Sequence, residues 1–117
     1  MIRRSRDAAG ISEIYGADCS LFVNDERNIV LVDGQNIGVF VWRGPGVFEG
    51  HACFKARAKE AIQIGRAMLE QVPAKMIWGL TPVSLRHVRY FNRKLGFKSG
   101  GIMSIPEGEH ELFVLEK

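Results

Sequence analysis

Two side chains capable of acid–base chemistry, Glu49 and His51, stand two residues apart in the segment Val47-Phe48-Glu49-Gly50-His51-Ala52-Cys53-Phe54. The segment reads as a β-strand. Alternation then places Val47, Glu49, His51 and Cys53 on one face, and Phe48, Gly50, Ala52 and Phe54 on the other. The Cα atoms of Glu49 and His51 are then roughly 6.5 Å apart. A carboxylate beside an imidazole favours the protonated ring, and burial opposes it, so the pair suits proton transfer. The plain alternative is a polar face turned to water, or a histidine tied into a structural hydrogen bond. Gly50, between the two, marks a bulge or a close approach of another backbone.

A second feature follows at once. Lys55-Ala56-Arg57-Ala58-Lys59-Glu60-Ala61 opens a helical pattern. A helix N-terminus offers free N–H groups and the positive end of the helix dipole, which suits a phosphate. Cations in that first turn are unfavourable unless an anion joins them. Lys55, Arg57 and Lys59 therefore point to a bound phosphate, against the alternative of a helix that merely begins with basic residues.

The elements that must position these groups are legible from periodicity. Asp7 to Ala17 reads as a short helix weakened by Gly10 and Gly16. Asn28–Val32 and Ile37–Trp42 read as strands joined by the turn Asp33-Gly34. Arg43-Gly44-Pro45-Gly46 is a turn into the strand carrying Glu49. Ala58, Ala61/Ile62, Gly65, Met68/Leu69 and Val72 form one apolar helical face, ended by Pro73. Lys75–Leu80 reads as a buried strand. Thr81-Pro82 reads as the start of a helix lined by Leu85, Val88, Phe91 and Leu95 and closed by Gly96, with Lys94 suiting its negative end. Gly101–Ile105 and His110–Leu115 read as two more strands about the turn Pro106-Glu107-Gly108. Strand–helix–strand requires a parallel pair with a crossover. The expected fold is α/β: a mixed, mostly antiparallel central sheet with one parallel pair and flanking helices. Trp42, Trp78, Met68, Met76 and Met103 read as core, and His87 and His110 as surface.

The chain has 117 residues, 46% hydrophobic and 25% charged, which fits one domain over residues 1–117 that needs no disulfide or metal staple. No apolar run approaches the ~20 residues that span a bilayer, so no membrane partner is expected. The charged start has no apolar segment behind it, unlike a signal peptide. Cys19 and Cys53 form no disulfide framework, which suggests a reducing cytoplasm. The cysteines and three scattered histidines lack metal-ligand spacing, so no metal site is expected. The net charge of +3 is uneven, because Lys55 to Lys98 holds ten basic and two acidic residues, a net of +8. Such a block favours an anionic partner, unless it forms solvated helix faces.

Taken together, Arg43-Gly44-Pro45-Gly46-Val47-Phe48-Glu49-Gly50-His51, then Phe54, then Arg57-Ala58-Lys59-Glu60-Ala61 resembles the core of the GNAT superfamily of N-acetyltransferases, in the small forms common in phages and prophages. Phe91-Asn92-Arg93-Lys94-Leu95-Gly96-Phe97 resembles that family's Lys-x-Gly-Phe helix ending. The resemblance covers roughly residues 21–115. It implies that Val47–Phe54 splays from its parallel neighbour, Lys75–Leu80. The pantetheine arm of acetyl-CoA would then lie in the gap beside Cys53 and Phe54. The loop Arg57, Ala58, Lys59, Glu60, Ala61 would wrap the pyrophosphate, with Lys94 nearby. An amine would attack the thioester directly, with Glu49 or His51 as base. Asn92 stands where many relatives carry a tyrosine that protonates the leaving thiolate; it can hydrogen-bond sulfur but not supply that proton. Glu60 and Ile62 stand where the family loop has small residues. Residues 1–20 leave little room for the family's first strand and two helices, so the acceptor side is expected to be open or completed by a homodimer. Two rivals remain: a family relative that lost activity and serves as a binding or structural protein in a phage assembly, and a protein that binds nucleic acid or modifies its bases. For the second, aromatic residues within the basic block are few.

Overall fold

The computed structural model describes residues Met1–Lys117. In chain order its elements are β1 (Arg3–Arg4), α1 (Ala8–Tyr15), α2 (Ser20–Asn24), β2 (Ile29–Asp33), β3 (Asn36–Gly44), β4 (Val47–Cys53), α3 (Ala58–Gln71), β5 (Met76–Pro82), α4 (Arg86–Lys94), β6 (Lys98–Ile105) and β7 (Gly108–Glu116). The strands form one seven-stranded sheet in the order β1-β2-β3-β4-β5-β7-β6. Every pair is antiparallel except β4 and β5. This is the mixed α/β sheet expected from the sequence.

The continuous apolar run of β2 has a direct cause: the strand is covered on both faces. Val30 and Val32 join Ile11 of α1 and Val23 of α2 in one core. Ile29 and Leu31 join Phe48 of β4 and Met68 and Leu69 of α3 in the other. The helices thus clamp the sheet from opposite sides, and α3 stays on its face through the period of Ala61, Gly65, Met68 and Leu69. Lys117 Nζ donates to the carbonyls of Leu69 and Val72, both at 2.6 Å, and adds a charged donor at the negative end of α3.

Several elements depart from the sequence reading. Gly16 does not weaken α1; it ends it, as a left-handed C-cap with φ 85°. Asp7 caps the other end through Gly10 N–H. Thr81 and Pro82 do not start a helix. They are the last residues of β5, paired with Glu111 and His110 of β7, and α4 begins at Arg86 without a side-chain cap. A local capping signal lost to a ladder that runs the whole length of β5. Met103 is not core: it lies 45% exposed on the edge strand β6. The N-terminal region is short: residues 1–20 hold β1, α1 and only the first residue of α2, which runs on to Asn24, and the three elements are two, eight and five residues long.

The helix α4 has no buried residue of its own. Ion pairs join the edge-on packing of Phe91 against Phe54 in attaching it to the sheet. Glu111 of β7, only 3% exposed, accepts from Arg89 Nε and Arg93 Nη2, each at 2.7 Å. Arg66 of α3 donates to the Lys94 carbonyl at 2.8 Å. A hydrogen bond from Ser99 is the largest influence on the Glu111 carboxyl. With the two guanidinium groups it holds the carboxyl below its ordinary range, against the upward push of burial. A carboxyl depressed in the folded state adds stability above its unfolded pKa of about 4.3, and that stability is lost as pH falls through the folded value. Glu111→Gln is therefore expected to cost about 1–3 kcal/mol at pH 7. In chemical denaturation across pH, the difference from wild type should shrink towards acid.

Candidate active site

The site is made by a break in the sheet. The parallel pairing of β4 and β5 consists of Val47 with Met76, Phe48 with Ile77 and Glu49 with Trp78, and then stops. Beyond it, β4 stays paired to β3 as far as Cys53, and β5 stays paired to β7 as far as Pro82. Each strand follows its outer neighbour, and the two diverge. The backbones are still close at the branch point, where a Cβ on Gly79 would lie 3.1 Å from the Gly50 carbonyl oxygen. Past it, the N–H and C=O groups that β4 and β5 turn towards each other have no strand partner. Lining a half-open cleft, these groups are available to a ligand or to water.

A cleft of about 540 Å³ occupies the break and passes from one face of the sheet to the other. On the α3 side it is bounded by Phe54, Ala58 and Ala61, with Phe91 and Asn92 of α4 across from them. On the α1 side it is bounded by Tyr15, His51, Trp78 and Leu80. Trp78 is thus a half-buried wall of the cleft where sequence suggested core, while His87 is exposed, as expected, and also lines the cleft.

Strand alternation does bring Glu49 and His51 together. Glu49 Oε2 lies 2.6 Å from His51 Nε2. The other oxygen, Oε1, accepts from Arg43 Nε at 2.9 Å and Nη2 at 2.7 Å. Burial pushes the Glu49 carboxyl up, but the hydrogen bonds and charges of Arg43 and His51 outweigh it, and the carboxyl sits below its ordinary range. Glu49 is therefore a carboxylate with both oxygens engaged. With Nε2 directed at Glu49, the imidazole has Nδ1 left for other work. Phe22 of α2 lies beside the ring, with centroids 6.4 Å apart.

The remaining candidates fall into two groups. Ala58 and Ala61 line the cleft beside Phe54. Asn92, half-buried, lines it while its Nδ2 donates to Thr81 Oγ1 at 2.9 Å. Cys53, Arg57, Lys59, Glu60 and Lys94 do not line it. Cys53 packs against the α1–α2 core, on the opposite face from Phe54. Lys94 Nζ sits 5.3 Å from the Tyr90 ring centre. Arg57 is the N-cap of α3 and forms no side-chain cap bond. Lys55, Arg57 and Lys59 are exposed and take part in no ion pair, while Glu60 lies exposed in the first turn of α3.

Two contributors escaped the sequence reading. Asn36, at the start of β3, accepts through Oδ1 from Lys55 N–H at 2.8 Å and Ala56 N–H at 3.0 Å. It fixes the segment that leads into α3. No sequence signal marks it, because its partners lie 19 and 20 residues away. Tyr15 could have been found from its place on the apolar face of α1. Burial, chiefly, raises its hydroxyl above the usual range, with Cys19 and Cys53 acting in the same direction.

No group of three or more His, Cys, Asp or Glu side chains gathers as a metal site, and no helix is long and apolar enough to cross a membrane.

No family model and no curated protein matches the chain. Solved structures do. A variant of the spermidine N-acetyltransferase SpeG from Vibrio cholerae superposes with a TM-score of 0.74 at 11% identity, covering 99% of this chain and 94% of that one. A GNAT-family acetyltransferase from Bacillus anthracis gives 0.64 at 17% identity, covering 95% and 83%. The aminoglycoside acetyltransferase AAC(6')-Ib, in complex with coenzyme A and kanamycin, gives 0.66 at 12% identity, covering 100% and 94%. At such identities the likeness is one of architecture: the chain has the fold of the GNAT acetyltransferases.

Proposed function

We propose that the protein is an acetyl-CoA-dependent N-acetyltransferase that passes an acetyl group directly to an amine. The observation that carries this reading is the break between β4 and β5, where two strands present unpartnered backbone groups across an apolar cleft. The pantetheine arm of coenzyme A has amide groups spaced along a thin chain, and such groups complete a strand ladder. At the α3 end, the free N–H groups of the first turn and the unpaired Lys55, Arg57 and Lys59 suit a pyrophosphate. The structural likeness to AAC(6')-Ib, which was solved with coenzyme A, supports the same reading.

Acetyl-CoA supplies an activated thioester. The chain must then supply a free amine, since primary amines with pKa near 10 are mostly protonated at neutral pH. His51 accepts that proton at Nδ1, and Glu49 holds the ring by Nε2 and stabilises its charged form. Glu49 itself is poorly suited to be the base, because Arg43 and His51 already engage its two oxygens. Asn92 keeps one amide hydrogen on Thr81, and with acetyl-CoA bound the other would be free to hydrogen-bond the departing thiolate, which would take up the proton that the nitrogen loses on acylation. Two of the ten basic residues, Arg89 and Arg93, share the carboxylate of Glu111, which removes one unit of positive charge from the block and holds both side chains to the sheet.

Calorimetric titration should show acetyl-CoA binding at one site. Arg57→Glu should abolish it, and no binding at millimolar ligand would contradict the reading. Asn36→Ala should weaken acetyl-CoA about tenfold by freeing the loop before α3. With a reacting amine in hand, His51→Ala is expected to lower kcat about a hundredfold and Glu49→Gln about tenfold. Unchanged turnover in both would remove the base assignment.

A further inference from the structure

We infer that the acceptor is a monoamine on an apolar or aromatic body, and not a polyamine; this rests on the acetyl-transfer reading of the cleft. No Asp, Glu, Lys or Arg side chain lines the cleft. Glu49 is hydrogen-bonded to the lining residue His51, and its two oxygens are occupied by Arg43 and His51. With the ring neutral, that cluster has no net charge. Glu111, beyond the far end of β5, is closed off in the same way by Arg89 and Arg93. Neither of these two carboxylates is free to receive a second ammonium group.

Spermidine and kanamycin, named in the similar structures, carry several ammonium groups each. Every one that leaves water needs a hydrogen-bonding or charged partner, or its desolvation is uncompensated. The α1 side of this cleft provides instead the walls Tyr15, Trp78 and Leu80. The register that pairs Glu49 with Trp78 puts Trp78 and Leu80 on the His51 face of the sheet, opposite Ile77, Gly79 and Thr81. Leu80 is 37% exposed there, an apolar surface open to a ligand. Aromatic faces beside an ammonium can hold a single positive charge by cation–π attraction until His51 takes the proton. The remaining body of the ligand then meets only apolar and aromatic surface.

The test is calorimetric titration of the wild-type protein, saturated with coenzyme A, with 2-phenylethylamine, spermidine and kanamycin. The expected result is 2-phenylethylamine binding about tenfold more tightly than either polyamine, with Leu80→Glu shifting the ratio towards spermidine by about tenfold. Spermidine or kanamycin binding as tightly as 2-phenylethylamine would overturn the inference. So would coenzyme A binding with no uptake of 2-phenylethylamine at millimolar concentration. A protein that binds no coenzyme A would overturn the transfer reading and this inference with it, whereas a polyamine preference in a protein that does bind it overturns this inference alone.

Discussion

Two neighbouring strands part company after three residue pairs, and most of what this molecule offers a ligand depends on that event. The cause is competition between ladders. The strand β4 keeps its antiparallel pairing to β3, and β5 keeps its pairing to β7 over seven residues. Both outer ladders hold their own twist, and the weaker parallel seam between them gives way. The glycines at the branch let the backbones approach closely just before they separate. The result is a cleft whose walls are backbone as much as side chain. Its shape is therefore fixed by topology, and the fold that sets this topology recurs at sequence identities near 12%.

The second organising feature is the partition of charge. A basic block with a net of +8 does not act as one surface. Arg89 and Arg93 turn to the buried Glu111 and hold α4 to the sheet, and Arg66 ties α3 to the end of α4. Lys55, Arg57 and Lys59, at the start of α3, remain unpaired. The same sign of charge thus does two jobs: fastening the helix that closes the cleft, and leaving a positive mouth at one end of it. Asn36 links that mouth to the rigid β2–β3 hairpin by taking two loop N–H groups, so the mouth is held by the sheet.

Much of this was legible in the sequence, for physical reasons. The strands β2 to β4 and the helix α3 declare themselves because their burial follows simple periods, and the Glu49–His51 contact follows from alternation alone. What sequence concealed was non-local. Thr81-Pro82 carries a good helix-start signal, yet pairing to β7 claims it. The two-residue β1 is too short to have a period. Met103 has the composition of a core residue and lies on an outer strand, a placement set only by strand order. Glu111 and Asn36 act on partners 18 to 22 residues away, and no local pattern records such contacts. The break between β4 and β5 is likewise invisible to propensity; only the resemblance to a known family suggested it.

Amide hydrogen exchange, with and without coenzyme A, bears most directly on the central claim that the break between β4 and β5 receives the pantetheine arm. Saturating coenzyme A should slow exchange in Gly50–Cys53 of β4 and Gly79–Thr81 of β5, and leave the already paired β2–β3 hairpin unchanged. Binding of coenzyme A without protection in those two segments would contradict the account.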